Sequence, residues 1–229
     1  MPYQMIANII TAINSLAGLV AIFLAVHDEY VLSAALIVAA VFLDAIDGKI
    51  ARLDHKKTPS DFGKEFDSLS DLISFGVAPA VLLYSLINGT ADIFAIACLC
   101  VYVLAGVFRL ARFNVYSRQK QPPYFLGCPI PAAAGVIAGV VLFLLKYNSL
   151  DINPTFILLG CLVLAGLMAS RIRYPNSSLL SGMGWPKLLV TGAAVLMLLV
   201  FLPQLFIFGS FLAYLVISPF VFAKMPKWR

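Results

Sequence analysis

Charge is scarce in this sequence: 12% of its 229 residues are Asp, Glu, Lys or Arg, where soluble domains run near a quarter. With 62% hydrophobic residues, that shortage excludes an ordinary water-soluble domain. Metal-binding and redox signatures are missing too. The four cysteines, Cys98, Cys100, Cys128 and Cys161, fall mostly in apolar runs with no CxxC or Cys/His spacing, so they read as small buried residues. No linker, low-complexity tract or internal repeat stands out, and the chain reads as one transmembrane domain over 1–229. At about 20 residues per spanning helix, eight helices take roughly 160 positions and leave short loops. Any chemistry is therefore expected at or inside a bilayer.

What is present is a series of apolar windows, at roughly 6–26, 31–52, 63–87, 92–113, 130–147, 154–170, 187–203 and 205–222. The expected fold class is all-α, a bundle of about eight transmembrane helices. The first window lacks a basic leader and a small-residue cleavage site, and reads as a retained helix. Pro79 and Pro219, each without a backbone donor, are expected to kink the third and eighth helices.

The net charge of +5 could suggest nucleic-acid binding, but the basic residues are one-sided. Lys49, Arg52, Lys56, Lys57 and Lys64 surround the second loop; Arg109, Arg112, Arg118 and Lys120 the fourth; Arg171, Arg173 and Lys187 the sixth; Lys224, Lys227 and Arg229 the tail. The odd-numbered loops hold only Lys146. By the positive-inside rule both termini and the even loops face the cytoplasm. Topology thus accounts for the basic excess, and no nucleic-acid partner is expected.

Acidic residues break the apolar pattern in windows two and three, in LDAIDGKIARLDHKKTPSDFGKEFDSLSDLISFG. An Asp at a helix centre costs about 3 kcal/mol on the insertion scale, so Asp44, Asp47, Asp67 and Asp71 together need compensation on the order of 10 kcal/mol. Asp44 and Asp47 are spaced i,i+3, and Asp67 and Asp71 i,i+4, so each pair shares a helix face. At about 1.5 Å per residue, all four can converge at one depth just inside the cytoplasmic face. Like charges that close raise one another's pKa. Two divalent cations would relieve them, and hard oxygen donors suit Mg²⁺ or Mn²⁺, with Ca²⁺ able to occupy the site. Such sites stabilise attacking and leaving oxygens in phosphoryl chemistry. Gly48, Ala51 and Gly63 leave room beside the acids for a phosphate, although small residues also serve helix packing in membranes.

The region reads D-x-x-D-G-x-x-A-R, ten residues, then G-x-x-x-D-x-x-x-D. This resembles the signature of the CDP-alcohol phosphatidyltransferases, integral membrane enzymes of phospholipid synthesis. The ten intervening residues, LDHKKTPSDF, exceed the family's usual spacing of about eight, and the extra length falls in a loop that tolerates it. DSLSDLISFGVAPA, FRLARFN, GCPIPAAAG and ANIITAINSLAG look like the serine-using branch.

The resemblance implies transfer of a phosphatidyl group from a CDP-activated lipid, CDP-diacylglycerol or CDP-archaeol, to L-serine with release of CMP. It implies metal ligation by Asp44, Asp47, Asp67 and Asp71, with Asp71 doubling as general base. Gly48, Ala51, Arg52 and Gly63 would cradle CDP, helped by Asn8 and Thr11. It also implies a homodimer among membrane lipids, in the cell membrane, with its active site facing the cytoplasm. Serine's carboxylate calls for an Arg, and Arg109 and Arg112 end the fourth helix at the right level; the alternative is that they are headgroup anchors. Asn114 and the Pro129 to Pro131 turn are further candidates for that pocket.

Two rival readings stand beside this one. A sister enzyme would use glycerol phosphate or inositol phosphate, acceptors that favour a denser basic cluster. A cation transporter would place its acids near the midplane, yet windows five to eight contain none.

Overall fold

The computed structural model describes residues 2–53, 61–87, 93–117, 124–147 and 153–175, together with Gly209 and Tyr214. Helices α1 (Pro2–Val26) and α2 (Tyr30–Leu53) are joined by a tight turn in which Asp28 takes φ 64°, a left-handed conformation that Asp tolerates. Helix α3 (Asp61–Asp71), a π-helical segment (Leu72–Val77) and α4 (Ala78–Leu86) then run on without a break. Next come α5 (Ile93–Ser117), strand β1 (Tyr124–Leu126), α6 (Ile130–Lys146), α7 (Pro154–Ala169) and strand β2 (Arg173–Pro175).

Each of the first six apolar windows is thus helical. The last two, and Pro219, lie outside the described residues except at Gly209 and Tyr214. Among the described residues, three stretches are long and apolar enough to cross a membrane: Met5–Val26, Phe62–Leu86 and Ile93–Tyr116. Tyr30–Ala45, Ile130–Lys146 and Pro154–Ala169 are shorter apolar helices.

The chain is mostly helical, but the all-α expectation needs one correction. Strands β1 and β2 pair antiparallel, with Phe125 opposite Tyr174 and Leu126 opposite Arg173. Three-residue strands are too short to show a two-residue periodicity, and their partners are far apart in sequence. Gly127, at φ 79°, turns the chain from β1 toward α6, a conformation that favours glycine.

Packing inverts the usual size rule. Ala21, Ala25, Ala34, Ala78, Ala133 and Ala138 are fully buried, whereas Ile9, Ile13, Leu16, Val20 and Phe23 form an exposed stripe along α1. Lipid is as apolar as a large side chain, so small residues gain the interior by letting helices approach closely. Helix α1 packs on α2 and along α3, the π-helical segment and α4, while α2 packs on α6 and α5 on α7. A Cβ on Gly18 would stand 2.5 Å from Ser74 Oγ and 2.7 Å from Ser74 Cα, so only glycine admits this approach.

Serine hydroxyls stitch the close helices together. Ser70 Oγ donates to the Thr11 carbonyl at 3.0 Å, Ser74 Oγ to that of Asn14 at 2.8 Å and Ser33 Oγ to that of Ala21 at 2.8 Å. The π-helical segment directly follows Asp71 and ends two residues before Pro79, which lies in the first turn of α4.

Candidate active site

Asp44 projects from α2, and Asp67 and Asp71 from successive turns of α3. One carboxylate oxygen from each lies within 4.8 Å of the others. Asp71 is 7% exposed, and Asp44 and Asp67 are half-buried. Oxygens bound to one hard divalent cation at about 2.0 to 2.6 Å stand no more than roughly 4 to 5 Å apart. The trio therefore fits a divalent metal.

Sequence spacing explains the convergence on α3, where an i,i+4 pair presents both carboxylates on one face. The meeting with Asp44 depends on tertiary packing. The hydrogen bond from Ser70 to the Thr11 carbonyl sets α1 level with Asp71, the next residue along α3. Thr11 is 4% exposed, and its Oγ1 donates to the Ala7 carbonyl at 3.0 Å. Asn8 lies one turn earlier on the same helix and is half-buried.

Asp47, Gly48, Ala51 and Arg52 all belong to α2, and their side chains lie outside the described residues. Asp47 stands three residues after Asp44 in α2. Gly63 is in the first turn of α3 and half-buried.

The two arginines of α5 part company. Arg109 is 6% exposed and interacts electrostatically with Asp71 and Asp44 and with Asp67; its guanidinium also lies 5.7 Å from the Phe113 ring centre. Arg112 instead donates to the carbonyls of Leu126 at 2.6 Å, Met168 at 3.1 Å and Ala169 at 3.1 Å. It caps the C-terminal end of α7, whose last carbonyls lack helical donors, and ties β1 to that end. Asn114 accepts from Ser68 Oγ at 3.1 Å and donates to Glu65 Oε2 at 3.3 Å, which holds α5 against α3 and keeps Arg109 near the acids.

Other polar residues escaped the sequence reading. Asn14 is fully buried beside Ser74, and neither of its amide atoms has a hydrogen-bond partner among the described residues. Its i,i+3 spacing from Thr11, itself i,i+3 from Asn8, was the available signal. Tyr174 is also fully buried, and its hydroxyl has no hydrogen-bond partner among the described residues; no local sequence feature marks it.

Residues 4–170 match the family model for CDP-alcohol phosphatidyltransferase. Over 176 residues the chain is 41% identical to the CDP-diacylglycerol–serine O-phosphatidyltransferase of Helicobacter pylori strain J99, covering 76% of this chain and 73% of that protein. The protein of the same name from Bacillus subtilis strain 168 is 36% identical over 167 residues, 73% of this chain and 88% of its own. An archaetidylserine synthase from Methanothermobacter thermautotrophicus is 36% identical over 179 residues, 77% of this chain and 71% of its own. The acidic trio lies within the matched region, and this chain belongs to the CDP-alcohol phosphatidyltransferase family.

Proposed function

We propose that this protein is a phosphatidylserine synthase type enzyme, which transfers the phosphatidyl group of a CDP-activated lipid to L-serine and releases CMP. The observation that carries the chemistry is the meeting of Asp44, Asp67 and Asp71 beside the buried Arg109. The choice of serine rests on similarity to relatives named for that acceptor. Relatives named for diacylglycerol and for archaetidylserine both match, and either lipid presents the same pyrophosphate.

Asp44, Asp67 and Asp71, with Asp47 as fourth carboxylate, would hold two divalent cations, Mg²⁺ or Mn²⁺, with Ca²⁺ able to occupy the site. When bound, these ions would offset the negative charge of the pyrophosphate and of the departing CMP. Gly48, Ala51, Arg52 and Gly63 would cradle the CDP moiety, with Asn8 and Thr11 from α1. Asp71 takes the proton of the serine hydroxyl. The serine oxygen then forms a bond to the lipid-side phosphorus, the bond from that phosphorus to the CMP oxygen breaks, and CMP leaves with the electron pair.

Arg109 would receive serine's carboxylate through its planar donors. The hydrogen bonds of Arg112 to three carbonyls favour Arg109 for this role. Among the described residues Arg109 is the only buried cation, which suits a carboxylate better than the phosphate of glycerol phosphate or inositol phosphate. The one-sided basic loops support eight spans with both termini and the site at the cytoplasmic face of the cell membrane. Family resemblance supports a homodimer.

The test is an acceptor panel. Purified protein with CDP-lipid and Mn²⁺ or Mg²⁺ should release CMP with L-serine, and EDTA should stop release until the divalent ion is restored. Asp71→Asn should abolish release while the protein remains folded. Release with glycerol phosphate or inositol phosphate but not with serine would overturn the acceptor assignment.

A further inference from the structure

The carboxylate-bearing face of α3 is held from both flanks. At 3.6 residues per turn, Asp67 and Asp71 lie about 40° apart around the helix, and Ser70 and Ser68 lie about 80° to either side of the direction midway between them. Ser70 Oγ is tied to α1, donating to the Thr11 carbonyl at 3.0 Å. Ser68 Oγ is tied to α5, donating to Asn114 Oδ1 at 3.1 Å. The other end of the same amide, Asn114 Nδ2, donates at 3.3 Å to Oε2 of Glu65, one turn earlier on α3. A single side chain in the last turns of α5 thus grips two successive turns of α3.

The two flanks are secured differently. Helix α1 packs broadly along α3, whereas α5 packs chiefly on α7 and meets α3 sparsely. Apolar packing therefore adds little on the α5 flank, and the rotation of α3 about its own axis depends there on the amide. A carboxylate oxygen about 5 Å from the axis moves roughly 2 Å when a helix turns by about 20°. Bonds of about 2.0 to 2.6 Å to a hard cation do not absorb such a shift, and Asp44, on α2, would not follow it.

We infer that Asn114 is a positioning residue for divalent-cation binding: through Ser68 and Glu65 it sets the rotation of α3 at which Asp67 and Asp71 meet Asp44. This rests on the reading of the acidic trio as a metal site. It gives the asparagine of FRLARFN a role toward the cation, distinct from a contact with serine.

The test is Mn²⁺ affinity of the full-length protein in detergent without substrates, read from the free-ion electron paramagnetic resonance signal, so that no turnover is needed. Asn114→Ala should weaken Mn²⁺ binding about tenfold, the lower end of what outer partners of metal ligands contribute. Asn114→Asp should also weaken it, because the new carboxylate faces Glu65 without a donor; its added negative charge alone would tighten cation binding, so weakening identifies geometry. Glu65→Gln alone should stay within about twofold of wild type, since the new side-chain carbonyl still accepts from Asn114. Combining Asn114→Asp with Glu65→Gln returns a donor and an acceptor across the pair and should recover most of the affinity. Wild-type Mn²⁺ affinity in Asn114→Ala, or no recovery in the double variant, overturns the inference. So does a raised serine KM with unchanged Mn²⁺ affinity, which would make Asn114 an acceptor contact. Wild-type protein that binds no Mn²⁺ overturns the metal reading itself, and this inference with it.

Discussion

The hydroxyl of Tyr102 donates a 2.8 Å hydrogen bond to the main-chain carbonyl of Phe75. Four residues after Phe75 stands Pro79, which has no N–H to offer that carbonyl. Both Tyr102 and Phe75 are fully buried, so water is not the alternative partner. A side chain from α5 therefore supplies the donor that the proline removes, next to a π-helical segment that begins one residue after Asp71. Such irregular turns recur at functional sites, and here the break lets α3 aim its carboxylates while α4 continues through the core.

Tyr102→Phe should consequently destabilise the fold by about 1 to 3 kcal/mol, the effect of leaving a buried carbonyl unsatisfied. Reversible unfolding in detergent micelles measures it. A stability equal to wild type would show that the Phe75 carbonyl finds another donor.

Gly18→Ala should be harmful despite adding one methyl group to an apolar helix. The new Cβ would meet Ser74 Oγ at 2.5 Å and Ser74 Cα at 2.7 Å, and the backbone contact cannot be relieved by a rotamer change. Overpacking of this kind costs roughly 1 to 3 kcal/mol. It should also lower CMP release, because Ser74 and Asp71 share one helical rod. Full activity and an unchanged unfolding midpoint would argue that α1 can slide outward without effect.

The two arginines of α5 should behave differently. Arg109→Lys retains charge but loses the planar fork, and should raise the serine KM about tenfold or more with a smaller effect on stability. Arg112→Ala should leave the serine KM near wild type and lower stability by about 1 to 2 kcal/mol, since three carbonyls lose their donors. Steady-state kinetics and thermal unfolding of the same preparations separate the two effects, and a serine-specific defect in Arg112→Ala would restore it as an acceptor residue.

Cys128 gives a prediction in pH. Burial pushes its thiol from an ordinary 9.0 up to about 12, with Arg109 and a backbone hydrogen bond acting the other way. In the folded protein it should resist maleimide at pH 8, with unfolding required for labelling; mass spectrometry of the labelled peptide reads this directly. An unfolded thiol ionises near 9 while the folded one keeps its proton, so this group makes no pH-dependent contribution below pH 9. Between about pH 9 and 12 it favours unfolding increasingly, an effect that Cys128→Ser should remove. Ready labelling of folded protein at pH 8 would contradict the burial.

Sequence by itself determined the solvent and much of the chemistry. Scarce charge and long apolar windows required a membrane setting, and the i,i+3 and i,i+4 aspartates required something to offset their charge, because helical periodicity fixes which residues share a face. Those are local consequences of composition and spacing. It did not determine which distant groups meet. That Asp44 of α2 joins Asp67 and Asp71 of α3, that Arg109 turns toward the acids while Arg112, one turn later, holds the end of α7, and that Tyr174 is fully buried on a strand paired with β1 were decided by tertiary packing. The physical reason is that burial and hydrogen-bond partners depend on close approach between separate helices, set by Gly18, the alanines and the serine hydroxyls, and no single helix carries that information.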